Sequence, residues 1–215
     1  MTDQPPTRVP WRFIAAVITL AGLWLAMLLA GTGSADRAIY ETLYSVGRPW
    51  IVVIARAFTL LGEPTLLLAA SAVFAFWLWH GGRGRVGLVL LAVTLVGRGS
   101  SEVQKYVIAR PRPEMEPHLV VVKTSSFPSG HAANSMIFYL AIALLLTGRS
   151  QCRFAAAGAA IVLSLLIGTS RVMLGVHWPS DVIGGWAFGM LWVMLMLRPA
   201  ERLLRPNSEM EQSGL

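Results

Sequence analysis

Residues 13–30 read Phe-Ile-Ala-Ala-Val-Ile-Thr-Leu-Ala-Gly-Leu-Trp-Leu-Ala-Met-Leu-Leu-Ala, a run without one charged side chain. As a helix such a run rises about 27 Å, close to the roughly 30 Å of hydrocarbon that a membrane span must cross. Five further apolar runs follow, at Pro64–Trp79, Val86–Val107, Ala132–Thr147, Phe154–Thr169 and Val182–Leu197. None alternates with period two, the mark of a membrane barrel strand. The shorter runs need flanking polar residues or a thin bilayer to span. The pattern predicts an all-α bundle of six transmembrane helices.

Composition supports that reading. The chain has 215 residues, a single domain's worth, of which 55% are hydrophobic and 13% charged. A soluble domain carries about a quarter charged residues, so lipid is the expected solvent for most of this surface. The net charge of +7 suggests nucleic acid in a soluble protein, but here the cations sit in short stretches between apolar runs. That is where membrane topology is decided; nucleic acid is not expected as a partner. Cys152 is the only cysteine, which excludes an intrachain disulfide and a cysteine-rich structural zinc site.

The first run follows Arg8 and Arg12 and precedes Gly33-Ser34-Ala35, a signal-peptide-like arrangement. It is longer than an ordinary signal core and carries Trp24, so a retained anchor is expected. Nine Lys and Arg fall on each side of a six-span chain. The two tight loops, His80–Arg85 and Gly148–Arg153, are basic and free of acid, and short loops carry the positive-inside rule. Both termini are therefore expected in the cytoplasm, with segments 1–12 and 199–215 flanking one membrane domain, 13–198. The segment Asp36–Arg56 is expected along the outer interface as an amphipathic stretch anchored by Trp50. Trp11, Trp77, Trp79 and Trp178 fall near run ends and read as interfacial belt residues. His80 and Cys152 have no chemical partner nearby and receive no role.

Three polar clusters interrupt the apolar pattern, and the six-span topology brings all three to the outer face. The first runs from Lys105 to Arg112-Pro113. The second is Pro128-Ser129-Gly130-His131, and the third is Ser170-Arg171 with His177 and Asp181. Lys105, Arg112 and Arg171 are cations at a membrane boundary, where charge is costly and usually functional. Arginine's planar fork matches two phosphate oxygens, and lysine adds a point charge. Ser129-Gly130 stand before a helix whose free N–H groups can hold further oxygens. The set forms a cradle for charge spread over a phosphoryl group.

Two histidines supply what the cradle lacks, a nucleophile for phosphorus and a proton donor for the leaving oxygen. Pro179 argues for His177 just before the sixth helix and Asp181 in its first turn. Asp181 then fixes the tautomer of His177 and balances the charge that it gains on phosphorylation. His131 has no acid in its motif and falls to the donor role.

Lys105–Pro113 fits Lys-x6-Arg-Pro, Pro128–His131 is Pro-Ser-Gly-His, and Ser170–Asp181 fits Ser-Arg-x5-His-x3-Asp. In this order the three resemble the type 2 phosphatidic acid phosphatase superfamily, whose relatives include vanadium haloperoxidases and bacterial acid phosphatases. The resemblance implies His177 as the nucleophile that forms a phosphohistidine and His131 as the general acid. It also implies phosphate binding by Lys105, Arg112, Ser129, Gly130 and Arg171, with no metal and no cofactor. A bacterial inner-membrane enzyme facing the periplasm or exterior is expected, its partners the bilayer and a lipid phosphate. Compact bacterial members similar to this chain put undecaprenyl diphosphate first, with phosphatidate, phosphatidylglycerol phosphate and lipid A phosphates as alternatives. A lipid-phosphate transporter or flippase, and a lipid phosphotransferase, are the rival readings; oligomeric state is left open. A haloperoxidase is disfavoured by the six apolar runs.

Other polar residues read more plainly. Arg110 and Lys123 fit headgroup contact, substrate contact or a solvated loop, and His118 reads as surface. Arg98 and Glu102, four apart on one helix, are expected to pair. Glu63-Pro64 reads as a helix start.

Overall fold

The computed structural model describes residues 9–148 and 150–203, and the side chains of 201–203 are not described. Arg8, Arg149, Arg205 and most of segments 1–12 and 199–215 that the topology argument used lie outside the described residues, as does the Arg202 side chain. Among the described residues all regular structure is helical: α1 (Trp11–Ala30), α2 (Ser34–Leu43), α3 (Pro49–Leu61), α4 (Pro64–His80), α5 (Gly84–Ile108), α6 (Gly130–Thr147), α7 (Arg153–Met173) and α8 (Pro179–Leu203). Five of them, α1, α5, α6, α7 and α8, are long and apolar enough to cross a membrane. α3 and α4, bent by 44° between Leu61 and Pro64, are long and apolar enough as a pair, so the described residues hold five such helices, or six candidate crossings if the bent pair counts as one.

The Pro64–Trp79 run forms α4 within one residue of its expected bounds, and α3 joins its start across the bend, Pro49 and Pro64 each opening a helix. One expectation is corrected. The segment Asp36–Arg56 is no single interfacial stretch. It divides into α2, which buries Asp36 and Tyr40, and α3, whose Ala55 packs against Leu174 and Val176. Trp50 remains exposed.

α6 is the central helix. Its Met136, Ile137, Leu140 and Ala141 join Leu90 and Val93 of α5 with Val193 and Leu197 of α8 in the main core. α1, by contrast, buries no residue and packs on α8 along one side, as a helix facing lipid does. Phe13 near the start of α1 stacks under the Arg198 guanidinium near the end of α8, 4.4 Å to the ring centroid. At its other end, the Met27 and Leu28 carbonyls accept from Arg110, whose guanidinium also reaches Ser180 at the start of α8. The two helices are thus antiparallel.

Trp11, Trp77 and Trp79 are exposed at helix ends, as belt residues should be. Trp178 is not one of them: it is buried, donates its indole N–H to Pro111 O at 3.2 Å and packs on Tyr40. The Arg98–Glu102 pair does not form either, because the Arg98 guanidinium turns to Thr65 Oγ1 at 3.4 Å.

α6 and α8 approach each other closely. A Cβ on Gly189 would lie 2.7 Å from Ala133 O, and one on Gly185 would lie 2.8 Å from Ser129 O. This small-xxx-small spacing lets two backbones touch, and it sets Asp181 of α8 beside Ser129, whose N–H donates to the Asp181 carbonyl at 2.9 Å. Replacing Gly185 or Gly189 by Val should therefore lower stability in detergent by about 1–3 kcal/mol and reduce activity together with it. Gly22→Ala, where an added Cβ meets nothing within 4 Å, should leave both unchanged; thermal melting of the three variants checks this.

Candidate active site

The C-terminal ends of α5 and α7 and the N-terminal ends of α6 and α8 carry the polar clusters, and they meet at one end of the bundle. Ser129 is the N-cap residue of α6, yet its hydroxyl makes no capping bond. That buried Oγ has no partner among the described residues. A Cβ on Gly130 would stand 3.4 Å from Lys105 Cε and 3.9 Å from its Nζ, so the lysine lies directly against the helix start. Lys105 Nζ donates to Ser125 O at 3.0 Å and Thr124 Oγ1 at 3.4 Å.

Arg112 comes from the long loop between α5 and α6. Its Nε donates to Thr124 O at 2.7 Å and its Nη1 to Val176 O at 2.5 Å, while Nη1 stands 3.2 Å from His177 Nε2. Burial pushes this guanidinium down to about 10, with Asp181 acting in the opposite direction. Arg171, near the end of α7, donates through Nη1 to Thr59 Oγ1 at 2.6 Å, and its buried Nε has no partner among the described residues. A buried hydroxyl and a buried guanidinium N–H without partners among the described residues, beside a helix start with no side-chain cap and two more cations, fit an anion.

His177 lies in the short connection before α8 and is 1% exposed. Its Nδ1 is 3.5 Å from Asp181 Oδ2 and 3.3 Å from Ser126 Oγ. The Ser126 hydroxyl donates to Asp181 Oδ2 in a short bond, so its lone pair faces the ring. Both neighbours of Nδ1 then act as acceptors, which puts the proton on Nδ1 and leaves Nε2 with a free lone pair. Burial first, and then the charges of Arg112, Lys105, Arg171 and His131, hold the His177 pKa well below the usual 6.5. The ring is neutral at ordinary pH.

Asp181 sits in the first turn of α8, as the position of Pro179 led us to expect. Besides Ser126, its Oδ2 accepts from the Trp178 N–H at 2.9 Å, and its Oδ1 accepts from Arg110 Nη1 at 2.9 Å. Arg110 is therefore neither a headgroup contact nor a solvated loop residue: it is 8% exposed and paired with the fully buried Asp181. The same guanidinium reaches Ser180 Oγ at 3.1 Å, and Ser180 in turn donates to Asp36 through its N–H at 2.9 Å and its Oγ at 2.5 Å. Lys123 is exposed, and His118 is exposed with Nε2 2.7 Å from Pro113 O.

All eight residues singled out from the sequence thus come to one end of the bundle. Sequence reasoning missed Arg110, Ser126, Asp36 and Glu63. Glu63 caps α4 as its Glu-Pro signature suggests, accepting from Thr65 N–H at 3.2 Å, but its other oxygen lies 3.5 Å from His131 Nε2. The one available signal was chemical: a buried carboxylate needs donors, and Arg110 lies inside the first motif while Ser126 lies two residues before the second.

Comparison with known proteins agrees with this geometry. The PAP2 superfamily profile matches residues 85–204. Phosphatidylglycerophosphatase B of Bacillus subtilis is 33% identical over 179 residues, covering 80% of this chain and 86% of its own length. An undecaprenyl-diphosphatase of Sulfolobus acidocaldarius is 35% identical over 117 residues, 52% of this chain and 53% of its own length. The crystal structure of a transmembrane PAP2-type phosphatidylglycerolphosphate phosphatase from Bacillus subtilis superposes with a TM-score of 0.77 at 29% identity, covering 87% of this chain and 96% of that one. With more than half of its length inside the family match and a fold shared with such a phosphatase over most of both chains, this multi-pass membrane protein belongs to the PAP2 superfamily, and the relatives named are hydrolases of phosphate monoesters or diphosphates.

Proposed function

We propose that the protein hydrolyses a lipid phosphate or diphosphate at the outer face of a bacterial inner membrane, through a phosphohistidine on His177. The observation that carries this reading is the setting of the His177 ring: Nδ1 is held by Asp181 and Ser126, while Nε2 points at the Arg112 guanidinium. A phosphoryl group bound by Arg112, Lys105, Arg171 and the first turn of α6 has its phosphorus presented to that lone pair. Nε2 attacks, the bond to the leaving oxygen breaks, and His131 gives that oxygen its proton. Asp181 balances the charge on the phosphorylated ring. Water then attacks phosphorus, His131 takes up the water's proton, and phosphate leaves. The roles of Ser129 and Gly130 are to bind phosphate oxygens through the open hydroxyl and the backbone. The cationic cradle repels a metal ion, so none is assigned a role.

The substrate's tail stays in the bilayer, and only its phosphate reaches the end of the bundle. Undecaprenyl diphosphate is the first reading, because compact bacterial members of the family that resemble this chain often act on it. Phosphatidylglycerol phosphate is the second, supported by the Bacillus subtilis relative that aligns over most of both chains. A transporter or flippase has less support, because binding an anion needs cations but no aligned imidazole. A phosphotransferase differs only in the acceptor.

Purified protein in detergent with EDTA, offered a panel of lipid phosphates, should release inorganic phosphate. His177→Ala should lower that rate by about a thousandfold or more. Tight binding without release, or transfer to a second lipid in place of release, would favour the rival readings.

The pH profile of kcat/KM gives a second check. Attack needs neutral His177, and burial among cations lowers its pKa, so the acid limb should lie well below pH 6.5. The alkaline limb should report loss of the proton from His131 and vanish in His131→Ala. An acid limb at or above the ordinary imidazole range would contradict the buried, neutral His177.

A further inference from the structure

A proton donor must carry its charge until the leaving oxygen takes the proton. His131 has to do so in a site whose purpose is to attract negative charge, with Arg171, Lys105 and Arg112 all within electrostatic reach of the ring. Cations so placed oppose a further positive charge, and a charged imidazole among them needs a carboxylate of its own. Asp181 cannot supply it, because its oxygens are taken by Arg110, Ser126, Trp178 and the His177 ring.

The break between α3 and α4 supplies one. Glu63 stands there with its two oxygens in different uses. Oε1 accepts the Thr65 N–H at 3.2 Å and so caps α4, while Oε2 faces His131 Nε2 at 3.5 Å. The cap fixes the side chain, and the fold fixes the cap. A Cβ on Gly62 would lie 2.2 Å from Ile167 Cγ2 and 3.5 Å from His131 Cδ2, so the break is pressed against α6 and α7 with no room to spare. One turn earlier, Thr59 accepts from Arg171 at 2.6 Å. The bent pair thus delivers a partner to Arg171 and another to His131. Glu63 is also 38% exposed, so the pair has a route for proton exchange with water that the fully buried Asp181 lacks.

We propose that Glu63 is a positioning residue for the reaction, the counter-ion that keeps His131 charged and aimed while it waits to protonate the leaving group. This rests on the reading of His131 as the general acid. The protons balance within one turnover. In the first step the phosphorus–oxygen bond breaks, the bond from His177 Nε2 to phosphorus forms, and the His131 proton goes to the leaving oxygen. In the second, water adds to phosphorus, its proton goes to His131, and the phosphorus–nitrogen bond breaks. The ring ends charged beside Glu63, as it began, with one water consumed.

A leaving group that departs as a stable anion has no need of this proton, and one that departs as an alkoxide does. The test compares phosphatidate, whose leaving group is an alkanol, with p-nitrophenyl phosphate by kcat/KM, which reports phosphoryl transfer to His177 and not the later water step that all substrates share. The single variants are Glu63→Gln, Glu63→Asp, His131→Ala and Thr59→Val, with the double variant of Glu63→Gln and His131→Ala. Gln keeps the acceptor that caps α4 and removes only the charge. Glu63→Gln should slow phosphatidate hydrolysis by about tenfold or more, a fraction of the 10²–10⁴ that general acid catalysis contributes, and leave p-nitrophenyl phosphate hydrolysis nearly unchanged. His131→Ala should show the same selectivity, larger. Adding Glu63→Gln to it should cause no further selective loss. Glu63→Asp, which retains the charge, should recover part of the phosphatidate rate. Thr59→Val, which disturbs the same break through Arg171, should slow both substrates alike. Equal slowing of both substrates by Glu63→Gln, with His131→Ala still selective, would overturn the role of Glu63 and leave the acid assignment standing. Equal slowing by His131→Ala would overturn the acid assignment itself, and the counter-ion role with it.

Discussion

The site depends on one buried carboxylate. Asp181 is 0% exposed and is held by the Arg110 guanidinium on one oxygen and by Ser126 and the Trp178 N–H on the other. An ionised carboxylate in such a place is stable only while every donor is present, and removing one member of a buried pair costs about 3–5 kcal/mol. That requirement organises the surrounding chain. Arg110 and Ser126 come from the two ends of the α5–α6 loop, which is closed by the Ser126 N–H donating to Arg110 O at 2.8 Å. Arg110 also binds the last carbonyls of α1, and Ser180 ties the same corner to Asp36 of α2. Five elements are thus fastened where His177 must be held.

The membrane explains why this polar network is confined to one end. Within hydrocarbon, a helix satisfies its own backbone, and its outer face can be apolar all along; α1 and the outward sides of α4 and α5 follow that rule, with Val73, Phe76, Leu88 and Val96 exposed. Groups that need partners beyond their own helix gather where the helices end. In the proposed function, a phosphate drawn from a lipid headgroup meets the protein at that same depth. The bent α3–α4 pair fits the same logic, since irregular backbone at a membrane protein's functional end is tolerated where other helices cover it; here α6 and α7 do so.

Much of this was legible in the sequence, and the remainder was not for definite reasons. The long apolar runs located α1, α4, α5, α6, α7 and α8, because such runs have few other uses, though α7 and α8 run on past Thr169 and Leu197 into polar residues. The three motifs gave Lys105, Arg112, Ser129, Gly130, His131, Arg171, His177 and Asp181, because an anion site and an acid–base pair need those residue types. The Asp36–Arg56 stretch was misread as one amphipathic segment because α2 and α3 are both short, and only the fold shows that Pro49 opens a second helix. Trp178 was misread because a tryptophan at a run end is usually interfacial, and only the fold shows that Pro111 meets its N–H. Arg110, Asp36 and Glu63 carried no pattern of their own. Their partners lie 71, 144 and 68 positions away, and no local spacing announces such a meeting. They become visible only once the helix ends are brought together and each buried charge is asked for its partner.

The most direct test of the account is the position of the phosphoryl group on the trapped enzyme. Substrate labelled in its phosphate would be mixed with enzyme and quenched rapidly in alkali, where phosphohistidine survives. The modified residue would be located by mass spectrometry and the ring isomer by phosphorus NMR. Because Asp181 and Ser126 hold Nδ1, the expected product is His177 phosphorylated on Nε2. Phosphate on Nδ1, on His131, or on no histidine at all would contradict the central claim.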